Sequence, residues 1–323
     1  MHDLAPDVLH IQYQTGAYGM HPAVNTLPWR LKRHPNRPNI VVTFHDLLEP
    51  YLFPKAGPLR RWVTLRLAQD ADAVVVTSVD DAVGILEVEP RIIPIGSNIA
   101  VAPPRDYDRQ AWRESLGIRP DDMVISYFGL LSRNKGADIL IDALASLREY
   151  PERRFILLLI GGEAIAPHDQ SYAETVAAQI DRLRLHDSVL RTGHVDESTV
   201  SAHLLASDCM AIPFRNGVSF RSGSLMAGLA HGLPFVTTYT GGQGLIVGGG
   251  NNARLVDGEN VKLVPPLDSE ALAEAIVQLS RDNELRWRMS EGARGLGAYF
   301  TWDSIAEEHE RLYEACKIPR AML

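Results

Sequence analysis

Short apolar runs alternate with stretches of helical periodicity along almost the whole chain. Runs of strand length occur at DVLHIQ (7–12), NIVVTF (39–44), DAVVVTS (72–78) and RIIPI (91–95). A second series follows at MVISYFG (123–129), RFILLLIGG (154–162), SVLRTG (188–193), CMAIPF (209–214), PFVTT (234–238) and VKLVP (261–265). Strands that are apolar at nearly every position are buried on both faces, so the pattern predicts βα units around parallel sheets. In KGADILIDALASLREY, Ile139, Leu140, Ala143, Leu144 and Leu147 recur at helical spacing and mark one buried face. Asp268 is the expected N-cap of the helix in DSEALAEAIVQLSRD, with Glu270 in its first turn.

Between the two series, AVAPPRDYDRQAW (100–112) mixes prolines with charges and has neither periodicity, which predicts a linker. The 323 residues suit two domains better than one core. The expectation is an α/β protein of two doubly wound Rossmann-like domains facing a cleft, with ligands at the C-terminal ends of the strands. The glycine-dense TGGQGLIVGGGNN (240–252) reads as a loop at that cleft.

Composition narrows the class. With 46% hydrophobic residues and a net charge of −8, overall charge gives no reason to expect a nucleic-acid partner. Cys209 and Cys316 match no metal or redox spacing and read as fillers in a reducing compartment. The N-terminus lacks a signal-peptide pattern and no segment approaches the ~18 apolar residues of a membrane span, so a cytoplasmic location is expected. One local bias stands out in residues 27–69. Arg30, Lys32, Arg33, Arg37, Lys55, Arg60, Arg61 and Arg66 outnumber Asp46 and Glu49, with Trp29, Tyr51, Phe53 and Trp62 interspersed. Such a stretch is either a solvated face of two helices or a surface for peripheral contact with anionic lipid headgroups.

The candidate chemistry lies in two strand-to-helix junctions. CMAIPF runs into RNGVSFRSGS, and a small-residue helix follows that stops at Gly232 with Pro234 beyond. The amides of Ser222, Gly223, Ser224 and Leu225 are expected to point outward there, with Arg221 adding a guanidinium for phosphate oxygens. In YFGLLSRNKGADIL a strand ends at Gly129, and Arg133 and Lys135 precede the next helix, placed to neutralise a diphosphate. Taken singly, each junction is equally an ordinary βα turn with glycine for packing. Two in one domain, each with a cation, point to a phosphorylated ligand. The acidic pairs DAD (70–72) and DYD (106–108) read as solvated acids, and no zinc pattern, Ser/His/Asp motif or GxGxxG occurs, so no metal site is expected.

From about residue 120 to 315 the chain resembles the nucleotide-binding half of the GT-B glycosyltransferases of family 4 (glycosyl transferases group 1). The likeness runs in order through ISYFGLLSRNKGADILIDAL, FILLLIGGE, VLRTGHVDESTVSAHLLASDCMAIPF, LMAGLAHGLPFVTT, ENVKLVPPLDSEALAEAI and FTWDSIAEEHERLY. The first hundred residues agree less strongly, through DVLHIQYQ, VVTFHDL, ADAVVVTS and IIPIGSN. The resemblance implies a retaining, metal-independent transferase that moves a sugar from a UDP- or GDP-sugar to a sugar, lipid-linked or protein acceptor, without a cofactor. Cell-surface polysaccharide or glycolipid synthesis would be its setting. It further implies a shortened N-terminal domain over 1–105, a nucleotide-sugar domain over 106–300, and a C-terminal helix in 301–323 that crosses back to the first.

By position, the resemblance implies that Lys135, with Gly129 and Arg133, contacts the donor diphosphate, and that Arg221, Ser222, Gly223 and Ser224 cradle its phosphates. Glu163, Gly193, His194 and Val195 would lie along the nucleoside, and His45 would be the catalytic residue facing the donor sugar. Three positions depart from the family. Its two glutamates, which touch donor-sugar hydroxyls and ribose, fall on Val218 and Met226, and its arginine after the FG glycine falls on Leu130. Glu163 and His194 are expected to take over the lost hydroxyl contacts, and Arg133 or Arg221 the lost charge. Two alternatives remain open: a non-catalytic nucleotide-sugar-binding protein on a reduced scaffold, and a sugar-nucleotide epimerase, for which the expected site is poor in acids and bases.

Overall fold

The computed structural model describes residues 6–317 apart from 15, 19–21, 46, 48–56, 79–87, 163–166, 240–245 and 248–252. The chain divides into two compact units. One comprises Met1–Ile95, Ile246–Ala253 and Trp302–Leu323; the other comprises Gly96–Leu245 and Arg254–Thr301.

The N-terminal unit holds a parallel sheet in the order β1 (Val8–Tyr13), β2 (Asn39–Phe44), β3 (Ala73–Val76) and β4 (Arg91–Ile92). Between the strands run α1 (Pro22–Leu31) and α2 (Gly57–Asp70). Because side chains alternate across a strand, Ile40, Val42 and Phe44 join one core with Leu67 and Ala68 of α2, while Val41 joins another. That second core is closed by Ile305 and Leu312 of the C-terminal helix α10 (Trp302–Lys317), which covers the sheet face opposite α2.

In the second unit the strands are β5 (Met123–Phe128), β6 (Phe155–Ile160), β7 (Val189–Arg191), β8 (Cys209–Ile212), β9 (Phe235–Thr238) and β12 (Lys262–Val264). They form one parallel sheet in the order β12-β9-β8-β5-β6-β7, so the chain builds outward from β5 to β7 and then returns to the other side of β5. The strand β6, FILLLI, is buried at every position, as a parallel strand covered on both faces requires. The helices are α3 (Arg109–Ser115), α4 (Ala137–Ser146), α5 (Pro167–Arg182), α6 (Glu197–Ala206), α7 (Gly223–Ala230), α8 (Ser269–Arg281) and α9 (Asn283–Gly297). The predicted face of α4 is buried as a stripe, and Asp268 caps α8 by accepting from Ala271 N at 2.9 Å. A short strand in the glycine-dense stretch, β10 (Ile246–Val247), pairs with β11 (Ala253–Arg254) just beyond it, and the remainder of 240–252 lies outside the described residues.

The expected linker differs from what is observed. Asp108 caps α3, so the last residues of 100–112 are helical, and Ala102 N donates to Ser201 Oγ of α6 at 3.1 Å. The segment is held to the second unit by these bonds, which moves the boundary from 105 to 95. An isolated run of prolines and charges reads as a linker because its bonding partner lies ninety-nine residues away.

Candidate functional site

Reversal of strand order between β5 and β8 opens a crevice at their C-terminal ends, because the connections after these two strands leave in opposite directions. A cavity of about 590 Å3 lies there. From the β5 side it is lined by Phe128, Gly129, Leu130, Ser132, Asn134 and Lys135; from the β8 side by Phe214, Gly217, Ser219 and the run Arg221 to Ser224. Asn98 and Ile99 complete it.

The β5 side depends on two glycines. Gly129 has φ +113°, and a Cβ on it would lie 2.3 Å from Lys135 Nζ. Gly136, at φ +68°, turns the chain from the 3-10 turn Arg133–Lys135 into α4, where a Cβ would meet the Pro213 carbonyl oxygen at 2.2 Å. These conformations are open to glycine and strained for any other residue. They let Lys135 fold back over the end of β5. Its Nζ donates to Ser224 Oγ at 2.9 Å, and Ser224 Oγ donates to Phe128 O at 2.7 Å. Burial lowers the Lys135 pKa to about 8.

On the β8 side, Ser222 is the N-cap of α7 and its hydroxyl accepts from Leu225 N at 3.3 Å. The Ser222 amide is itself used, donating to Ser219 O at 2.9 Å. The expectation of four outward amides is therefore corrected to two, since a serine cap consumes one amide and the turn before it another. Among the described residues, no acceptor within the protein meets the Gly223 and Ser224 amides, the first two of the helix. A Cβ on Gly223 would meet nothing within 4 Å, so the approach to these amides is open. The cavity thus combines two amides at the positive end of a helix with Lys135 and Arg221. Among the described lining residues there is no carboxylate. Its lining is electropositive and suits an anion.

Not every expected residue meets there. Gly129, Lys135, Arg221, Ser222, Gly223 and Ser224 line the one cavity, whereas Arg133 does not. Arg133 sits on the exposed side of the 3-10 turn, its carbonyl accepting from Arg215 Nε at 3.0 Å, because that turn directs Lys135 inward and Arg133 outward. Gly193, His194 and Val195 form the loop after β7; Gly193 has φ +66° and bridges Gly161 after β6. Glu163 lies outside the described residues. His45 belongs to the N-terminal unit, where it follows β2, donates its amide to Tyr13 O at 2.9 Å and has Nε2 2.7 Å from Gln12 Oε1.

The departures from the family pattern have a plain structural form. Val218 and Met226 are 5% and 1% exposed and point into the protein, while Gly217 and Ser219 on either side of Val218 face the cavity. Leu130, 52% exposed, stands at the rim. Asn98, Asn134, Ser132 and Ser219 are lining residues that sequence reasoning missed; Asn98 lies in GSN, where only proximity in three dimensions reveals a role.

A doubly wound sheet with an anion cavity at its switch point defines a Rossmann-like α/β protein, and solved structures share this fold. Sucrose-phosphate synthase from Thermosynechococcus elongatus matches 96% of this chain and 73% of its own at a TM-score of 0.69 and 23% identity. The Anabaena HepE protein in complex with UDP matches 96% of this chain and 78% of its own at a TM-score of 0.71 and 21% identity. In sequence, the D-inositol 3-phosphate glycosyltransferase of Corynebacterium jeikeium is 28% identical over 263 residues, 79% of this chain and 60% of that protein. The chain therefore spans less than two thirds of that relative. The fold is that of the GT-B glycosyltransferases. Residues 122–282, which carry this sheet and all of the cavity lining except Asn98 and Ile99, match the model of the family Glycosyl transferases group 1.

Proposed function

We propose that this protein is a glycosyltransferase that binds a UDP- or GDP-sugar by its diphosphate in the β5–β8 cavity and transfers the sugar, with retention, to an acceptor hydroxyl. The observation that carries this reading is the convergence of Lys135, Arg221 and the Gly223 and Ser224 amides on one space. In the transfer the glycosidic C–O bond to the diphosphate breaks, a new C–O bond forms to the acceptor oxygen, and the acceptor hydroxyl's proton passes to an oxygen of the departing diphosphate. Negative charge grows on the departing diphosphate. Fixed amides and cations stabilise that charge without reorganising, so this chemistry has no need of a metal ion. HepE was solved with UDP and with UDP-glucose, which supports a uridine donor.

In this reading Gly193, His194 and Val195 contact the nucleoside, and His45 hydrogen-bonds the sugar or the leaving group. The acceptor is a sugar, a lipid-linked intermediate or a protein. The basic stretch 27–69 is assigned to peripheral contact with anionic lipid on the cytoplasmic side, and no described helix is long and apolar enough to cross a membrane.

Calorimetric titration with UDP, GDP, ADP and their sugars, with and without magnesium, tests the reading. It requires tight, magnesium-independent binding of one nucleoside diphosphate, and donor hydrolysis or transfer that falls in Lys135→Ala by more than binding does. Burial of Val218 and Met226 where the family has glutamates favours a second reading, a non-catalytic nucleotide-sugar-binding protein. Binding without hydrolysis or transfer would select it.

A further inference from the structure

The N-terminal unit carries an apolar slot of about 320 Å3 between α1 and α2. Trp29 of α1 and Trp62 of α2, 44% and 57% exposed, line it together with Thr26 and Val63. The floor is closed by the fully buried Asn25, whose Nδ2 donates to Tyr13 Oη at 3.1 Å. One end is closed by Asp70, which Lys32 and Arg66 neutralise at 2.9 and 2.7 Å. Arg30, Arg33 and Arg61 are exposed on the same two helices or just past the end of α1, and the Arg33 guanidinium lies 4.9 Å from the Trp29 ring centroid.

Two half-exposed indoles over an apolar recess leave hydrophobic surface in water that a covering partner would bury. The charge identifies the partner. The slot's single acid is matched by two cations, and the three arginines are in excess of that balance. Excess guanidinium around exposed tryptophan suits a surface with anionic phosphates outside and hydrocarbon just beneath, which describes an anionic lipid leaflet. The slot is at the small end of ligand pockets, which run from roughly 300 Å3, and suits one hydrocarbon chain.

We propose that this face docks on an anionic lipid leaflet with one acyl chain in the Trp29–Trp62 slot and phosphates on Arg30, Arg33 and Arg61. The proposal rests on the assignment of stretch 27–69 to lipid contact and adds the chain-binding site. Co-flotation with phosphatidylcholine vesicles, with and without phosphatidylglycerol, tests the contact. Vesicles brominated on the acyl chains test the slot, because bromine quenches an indole only at near contact. The expected result is flotation that requires phosphatidylglycerol and falls roughly thirty-fold in the Arg33→Gln/Arg61→Gln variant, about fivefold per cation. Chain bromines should quench wild-type fluorescence, and the quenching should vanish in Trp29→Phe/Trp62→Phe, whose thermal melting is unchanged and whose three other tryptophans still fluoresce. Flotation without chain quenching, or quenching that persists in the double variant, overturns the slot and leaves the lipid contact standing. Failure to float with anionic vesicles, or equal flotation with neutral ones, overturns both.

Discussion

Lys135 and Ser224, eighty-nine residues apart, are joined by a 2.9 Å hydrogen bond across the gap between β5 and α7. The serine in turn donates to Phe128 O at 2.7 Å, so the strand end, the lysine and the helix N-terminus form one connected unit. The ammonium is thereby held at the helix start that carries the Gly223 and Ser224 amides, which meet no acceptor among the described residues.

That position sets a pH dependence. Burial holds the free Lys135 near pKa 8, and a bound diphosphate would raise it by adding opposite charge. Binding therefore takes up a proton above pH 8. Affinity for UDP or GDP should be level below about pH 8 and weaken as pH rises beyond it, by up to roughly tenfold per unit. The Lys135→Met variant should bind roughly tenfold to a hundredfold more weakly and lose this slope. Calorimetry across pH 7 to 10, in ~unit steps, checks both. A flat profile in the wild type would show that the ammonium does not touch the ligand.

The glycines separate binding from folding. Gly223→Val places its side chain in open space before the free amides, so melting should shift little while nucleotide affinity drops about tenfold. Gly136→Ala acts on the fold instead. Its positive φ and a Cβ 2.2 Å from the Pro213 carbonyl oxygen should cost about 1–3 kcal/mol, read from urea unfolding.

Asp208 anchors the sheet behind the site. Its carboxylate accepts from Arg109 at 2.6 Å, from the buried Arg113 at 3.2 Å and from Val124 N at 2.8 Å. Asp208→Ala strands the Arg113 guanidinium and should cost about 3–5 kcal/mol of unfolding free energy. Asp208→Asn, which keeps an acceptor, should cost less. Equal losses would mean that the charge alone matters.

Two half-buried histidines predict an acid sensitivity of the N-terminal unit. His10 on β1 hydrogen-bonds Tyr313 and Thr43, both at 2.7 Å, and its pKa is lowered to about 4, first by burial and then by His309 and His45. Burial lowers His309 as well. A histidine with a depressed folded pKa takes its proton more readily when unfolded, so stability is lost as pH falls from about 6.5 toward 4. Melting curves from pH 7 to 4, sampled at about half-unit intervals, should show this loss, reduced in His10→Gln.

Much of the second unit was legible because its strands are apolar at consecutive positions and its helices keep one buried stripe, signals contained within a few residues. The two phosphate junctions were legible for the same reason: strand end, glycine, cation and helix start are neighbours in the chain. Arg133 and Lys135 show the limit, because they are two residues apart yet a 3-10 turn sends one to the surface and the other into the cavity. The Ser222 and Leu225 amides show another, since a cap and a turn satisfy them locally in a way composition does not announce.

The sequence by itself determined the alternation of strands and helices, the glycine positions and the family likeness of residues 120–315, since each depends on local pattern. Tertiary structure alone decided that β8 returns beside β5, that Lys135 meets Ser224, that Asn98 joins the cavity, and that α10 covers the first sheet. These depend on chain separations of about thirty to three hundred residues, where contact is set by how buried faces pair and by which amides are left without partners.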